Sequence, residues 1–262
     1  MDLGLKGRSV LITGGSKGLG LACAMAFADE GARVAIASRD AANLATAVAS
    51  LRAKGCASLA IEADLRLPDA AQRMVDTAQR ELGDIDVLVN SAGAAKRADP
   101  GKLDMQAWHD AMDAKYFTYV HAMQAVLPGM LARGRGAIVN IVGIGGKVAS
   151  IWHLTGGAAN AALMLVTAGL ANAHGRAGIR VNAINPGFAL TERLRAGNVA
   201  EAAAQNVSVD ELLRRGAARI PLGRYARAEE VADVAVFLAS DRASYVTGAV
   251  LGMDGALTPI VV

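Results

Sequence analysis

"SVLITGGSKGLG", Ser9 to Gly20, begins as a β-branched apolar run and ends in a cluster of glycines. The run has the length and composition of a buried strand, and the glycines turn it into a helix expected near residues 18–30. Glycines at 14, 18 and 20 let backbone approach a diphosphate closely. The helix N-terminus behind them offers unpaired N–H groups and the positive end of a dipole. The spacing departs from GxGxxG, and a glycine cluster alone is an ordinary turn; its position directly after the first strand makes it a phosphate-binding candidate.

Outward from that stretch the same rhythm repeats. Strands are expected at "RVAIAS", "SLAIEAD", "DIDVLVNSAG", "GAIVNIVG" and "GIRVNAINPG". Between them apolar-periodic segments near 41–53, 69–81, 103–132 and 157–174 are long enough to be helical crossovers. Alternation of this kind predicts an α/β protein: a doubly wound parallel sheet of about seven strands with helices on both faces. After Pro186 the pattern loosens through "GFALTERLRAGNVAEAAAQNVS", and a substrate lid is expected near 188–216. Helices near 208–215 and 227–239 and a strand near 247–252 complete the chain.

With 262 residues, 53% of them apolar and 19% charged, the chain can bury one large core, so residues 1–262 are read as a single domain. A net charge of +3 with scattered lysines and arginines argues against nucleic-acid binding. Cys23 and Cys56 are too few for a disulfide framework, and "MDLGLKGRSV" lacks the apolar run of a signal peptide, so a cytoplasmic location is expected. Val148 to Gly175 carries no Asp, Glu, Lys or Arg, yet Thr155, Asn160, Thr167 and Asn172 make it too polar for lipid. A buried or interface helix is expected there, with no membrane and no metal site.

"TGGSKGLG" at 13–20 resembles the TGxxxGxG motif of the short-chain dehydrogenase/reductase family. "NSAG" at 90–93 is similar to that family's NNAG, "NPG" at 185–187 to its PG turn, and "VTGAVLGMDG" at 246–255 to its last strand, so the resemblance runs nearly end to end. It implies a Rossmann-like fold and a nicotinamide dinucleotide held by Gly14, Ser16, Lys17, Gly18, Leu19 and Gly20. It also implies that Asn90, Ala92 and Gly93 line the cofactor, that Asp64 and Leu65 contact adenine, and that Pro186, Gly187 and Thr191 lie near the nicotinamide.

Charge distinguishes the two dinucleotides. An NAD site ends its second strand with an acid for the ribose 2′-OH, whereas this strand ends "ASRD", with Arg39 after Ser38 and Lys17 in the glycine loop. Two cations suit a 2′-phosphate, so NADP(H) is expected in preference to NAD(H).

Catalysis in the resembled family uses an Asn, a Ser and a YxxxK pair. This chain departs from all four: Lys115 stands at the asparagine position, Gly143 at the serine, Gly156 at the tyrosine and Asn160 at the lysine. The dinucleotide motifs are intact beside this change, which fits either an oxidoreductase with a rebuilt site, acting on an unknown carbonyl or hydroxyl compound, or a catalytically inactive NADP(H)-binding sensor. In the rebuilt site Lys115 and Asn160 exchange roles and face each other, the ammonium favouring a developing oxyanion. His153 is the candidate proton donor, since imidazole titrates near neutral pH. Lys147 and Tyr116 are weaker candidates, and His109, His121 and His174 have no site argument. Gly143, Gly145, Gly146, Gly156 and Gly157 either enlarge the pocket or permit tight packing. The alanine-rich helix near 157–174 resembles the family's interface helix, so a homo-oligomer, a dimer or tetramer, is expected, with a small-molecule substrate or ligand.

Overall fold

A computed structural model describes residues 2–93 and 98–260. Seven strands form one parallel sheet in the order β3-β2-β1-β4-β5-β6-β7. They are β1 (Ser9–Thr13), β2 (Arg33–Ser38), β3 (Ser58–Glu62), β4 (Val87–Asn90), β5 (Gly136–Ile141), β6 (Ile179–Pro186) and β7 (Val250–Met253).

Side chains alternate along each strand, so the sheet feeds two cores. Val10, Ile12, Val34 and Ile36 pack under α1 (Gly18–Asp29), α2 (Ala41–Ala53) and α9 (Ala228–Ala239). Leu11, Ala35, Leu88 and Ile138 pack on the opposite face under α3 (Pro68–Leu82), α5 (Thr118–Arg133) and α6 (Leu154–His174). The order of the strands reverses between β1 and β4, and a crevice at their C-terminal ends is where a doubly wound sheet holds its ligand.

The sequence expectations differ from the structure in three places. The helix expected over 103–132 is composite: α4 (Met105–Ala111) runs through a π-helical turn, Met112–Phe117, into α5. The loosened stretch after Pro186 contains a helix, α7 (Glu192–Ala204), before α8 (Val209–Ala218); its apolar residues form no stripe, so periodicity gives no sign of it. Finally, α6 starts at Leu154 rather than 157, so Gly156 and Gly157 lie in its first turn. The charge-free segment is largely this helix, which is long and apolar enough to cross a membrane. It lies against the sheet, with Ala159, Leu163, Thr167 and Ala171 buried.

Candidate active site

The glycine loop is shaped by contacts that exclude side chains. Gly14 has φ +67°, and a Cβ there would lie 2.7 Å from Ala92 N. A Cβ on Gly20 would strike the Gly14 carbonyl. The loop after β1 therefore presses on the loop after β4, and α1 can start directly beneath. Lys17 and Ser16 sit in this turn, Lys17 exposed and Ser16 buried, while Leu19 packs into the core below.

A chain of buried polar groups ties these loops to the rest of the sheet. Thr13 Oγ1 donates to Asn90 Oδ1 (3.1 Å) and accepts from the Ser91 and Ala92 backbone N–H groups (3.3 Å each). Asn90 Nδ2 donates to Asn140 Oδ1 (3.0 Å), and Asn140 Nδ2 to Thr167 Oγ1 (3.0 Å). Asn90 is fully buried. Its side chain is spent on Thr13, which in turn holds the Ser91 and Ala92 N–H groups, and on Asn140.

On the β2 side of the crevice, Thr13 pairs with Ala37 in adjacent strands, so Lys17 and Arg39 emerge from neighbouring strand ends. Both are exposed. Asp40, the acid nearest Arg39, accepts from Asn43 N (2.9 Å) as the N-cap of α2, which commits its carboxylate to the helix end. Ser38 Oγ accepts from Asp40 N (3.3 Å). Asp64 lies in the same corner. Its carboxyl is held below the usual carboxylate range by its hydrogen bond with Arg66, with a smaller contribution from Arg39. Leu65 is buried, and its carbonyl meets His121 Nδ1 at 2.9 Å.

At the other end, Gly187 N donates to Met253 O (3.0 Å), and a Cβ on Gly187 would lie 2.8 Å from Asp254 Cβ. The Pro186–Gly187 turn is thus pressed against the end of β7. Thr191 Oγ1 accepts from Leu194 N (3.3 Å) at the start of α7.

Lys115 lies within the π-helical turn and points inward. Its Nζ donates to Tyr119 Oη (2.6 Å) and to Ile141 O (3.0 Å), and its side chain packs along Gly93, where a Cβ would lie 2.7 Å from Lys115 Cδ. Among the described residues no hydrogen bond joins Lys115 to Asn160 directly. The ammonium is drawn to the carbonyl at the end of β5, whereas Asn160 lies against the glycine-lined wall.

On that wall, a Cβ at Gly143 would lie 3.3 Å from Asn160 Nδ2, and one at Gly145 would lie 3.4 Å from His153 Cδ2 and 3.9 Å from Asn160 Nδ2. His153 and Asn160 thus flank one glycine. Asn160 is 5% exposed, and its Oδ1 is buried without a hydrogen-bond partner among the described residues. Gly157 and Gly146 serve packing: a Cβ on Gly157 would lie 2.7 Å from Gly145 O, and one on Gly146 would strike Met164 and lie 2.7 Å from Ala161 N. Gly143 and Gly145, by contrast, meet only side-chain tips or distant backbone. The weaker candidates look elsewhere, Lys147 Nζ to Val250 O (3.4 Å) and Tyr116 edge-on to Phe117 (5.1 Å).

Residues 14–258 match the family model described as enoyl-(acyl carrier protein) reductase. The chain is 34% identical over 257 residues to gluconate 5-dehydrogenase of Gluconobacter oxydans (strain 621H), covering 97% of this chain and 96% of that protein. It is 38% identical over 255 residues to cis-4-hydroxycyclohexanecarboxylate dehydrogenase of Sinomonas cyclohexanicum, covering 97% of each. Among solved structures it is similar to L-sorbose reductase from Gluconobacter frateurii, complexed with NADPH and L-sorbose, with a TM-score of 0.94 and 31% identity over 100% of both chains.

Proposed function

Because the chain belongs to the short-chain dehydrogenase/reductase family, we propose that it is an NADP(H)-dependent oxidoreductase of small carbonyl or hydroxyl compounds, working through a rebuilt proton-transfer site. The observation that carries this reading is Lys115, an ammonium turned inward at the end of β5 and tied to Ile141 O at 3.0 Å.

The chain fits such a dinucleotide. The close approach of Gly14 to Ala92 leaves backbone N–H groups and the start of α1 open to a diphosphate, while Lys17 and Arg39 suit the 2′-phosphate. The buried Asn160 Oδ1 is an acceptor that a ribose hydroxyl would satisfy. When bound, the dinucleotide supplies or takes up the hydride. Lys115 favours negative charge building on the substrate oxygen, and His153, beside Gly145, or a water on the glycine wall hands over the proton. Exposed Ala158, Ala161, Leu165 and Ala168 on the outer side of α6 support assembly into a dimer or tetramer.

Titration with NADPH and NADH, followed by a turnover screen over diverse carbonyls, tests the reading. NADPH binding tighter than NADH, with turnover, supports it. Binding without turnover favours the sensor alternative, and a protein that binds neither dinucleotide overturns both.

A further inference from the structure

Lys115 and Tyr119 lie four residues apart, on one side of the same helical run, and their polar ends meet. Ile141 stands one residue past the last β4–β5 register pair, Asn90–Asn140, so its carbonyl faces the point where β4 has left the sheet. Side chains take up that oxygen: Lys115 Nζ donates to it at 3.0 Å and Tyr119 Oη at 2.7 Å. The lysine also donates to the phenol, at 2.6 Å, closing a triangle of three hydrogen bonds. Tyr119 is 0% exposed, so its ring cannot reach a substrate, and its hydroxyl is the one polar atom of an otherwise apolar core position.

We infer that Tyr119 is a positioning residue whose hydroxyl, with the Ile141 carbonyl, fixes the Lys115 ammonium at the dinucleotide crevice. A KxxxY pair on the π turn and α5 thereby takes over the cation-holding part of the YxxxK pair missing from α6. The inference rests on the function proposed above and deepens it. A flexible lysine loses side-chain entropy when it is held in one place, and the buried phenol offsets that cost before any ligand arrives. The π-helical turn presents position 115 inward, as π turns often do at functional sites.

The test is a double-mutant cycle on the full chain, read by the fluorescence of bound NADPH and accompanied by thermal melts. Lys115→Met and Tyr119→Phe are each expected to weaken NADPH by about tenfold, the scale of a hydrogen bond to a charged group. Adding Tyr119→Phe to Lys115→Met is expected to weaken it no further, because the tyrosine acts through the lysine. A purely structural tyrosine would lower Tm in both backgrounds and multiply its effect on affinity; that additive result overturns the inference. Should Tyr119→Phe not fold, reductive methylation of the wild-type chain, followed by mass spectrometry, decides the matter. Lys115 is expected to react at least about tenfold more slowly than exposed Lys102, and comparable rates overturn the inference. A wild-type chain that does not bind NADPH removes the proposed function itself, which sets that failure apart from an additive cycle.

Discussion

The glycine-loop side of the crevice and the α5–α6 side are built under different constraints. In the first, function is written in what is missing: Gly14 has φ +67° and Ala92 N lies 2.7 Å from where its Cβ would be, so the backbone itself makes the site. In the second, function depends on which side chains fill a space. A Cβ built on Gly143 would lie 3.3 Å from Asn160 Nδ2, so a serine there would fit after a shift of a few tenths of an ångström. A backbone-made site survives only if its glycines survive. A side-chain-made site can exchange its groups while the fold around it stays the same, and the proposed function takes Lys115, His153 and Asn160 to be such an exchange.

The sharpest way to break this comparison is at Lys115. Lys115→Met is expected to lower kcat by about a thousandfold, the scale of losing one preorganised charge at a developing oxyanion. Full activity in that variant would mean the α5 side carries no chemistry. His153→Ala is expected to reduce kcat by about a hundredfold while NADPH affinity is kept, and a rise in the NADPH Kd instead would make the histidine a binding residue. On the other side of the crevice, Gly14→Ala is expected to weaken NADPH by on the order of thirtyfold through backbone strain, as titration would show, with no separate effect on proton transfer.

Arg39→Asp sharpens the comparison at the adenosine end. It is expected to reduce the preference for NADPH over NADH by about tenfold, measured as the ratio of the two Kd values. An unchanged ratio would detach Arg39 from the 2′-phosphate. The smallest effect is expected at the opposite, N-terminal end of the central strands, where burial pushes the Asp86 carboxyl up but Arg135, the Ser9 N–H and Arg8 together pull it below the usual carboxylate range. A lowered carboxyl stabilises the fold above the ordinary carboxylate range and loses that contribution as pH falls through its own depressed value. Asp86→Asn should therefore lower Tm by a few degrees at neutral pH and by less in acid, as melts across pH would show, with NADPH binding unaffected.

The two sides also differ in how plainly the sequence announces them. β1, β2 and β5 are buried on both faces over most of their length and read as apolar runs, interrupted in β5 by Asn140, so their positions and parallel pairing follow from composition. Helix α7 gives no such sign, because "ERLRAGNVAEAAA" has no apolar stripe and its start is set by Thr191 capping Leu194 N. The π-helical turn at Met112–Phe117 is likewise absent from any periodicity, since it depends on how α4 and α5 seat on the neighbouring helices. At the site, the substituted positions 115, 143, 156 and 160 can be found by counting from the motifs, but which groups they meet cannot. Tyr119, the positioning residue inferred above, is not singled out by any motif. The signal was present in the four-residue spacing from Lys115, hidden because a tyrosine in an apolar helix face reads as core. Asn90 illustrates the converse: a motif residue read as lining the cofactor spends its side chain on Thr13 and Asn140.

The central claim is that the emptied tetrad still supports hydride transfer, and isotopic labelling tests it most directly. NADPH deuterated at the transferable C4 position is incubated with the wild-type chain and a panel of carbonyl compounds, and the products are analysed by mass spectrometry. The account predicts at least one alcohol carrying a single deuterium on its carbinol carbon, formed far more slowly by Lys115→Met. Saturated NADPH binding with no label in any product would contradict it and leave a chain that holds the dinucleotide without using it.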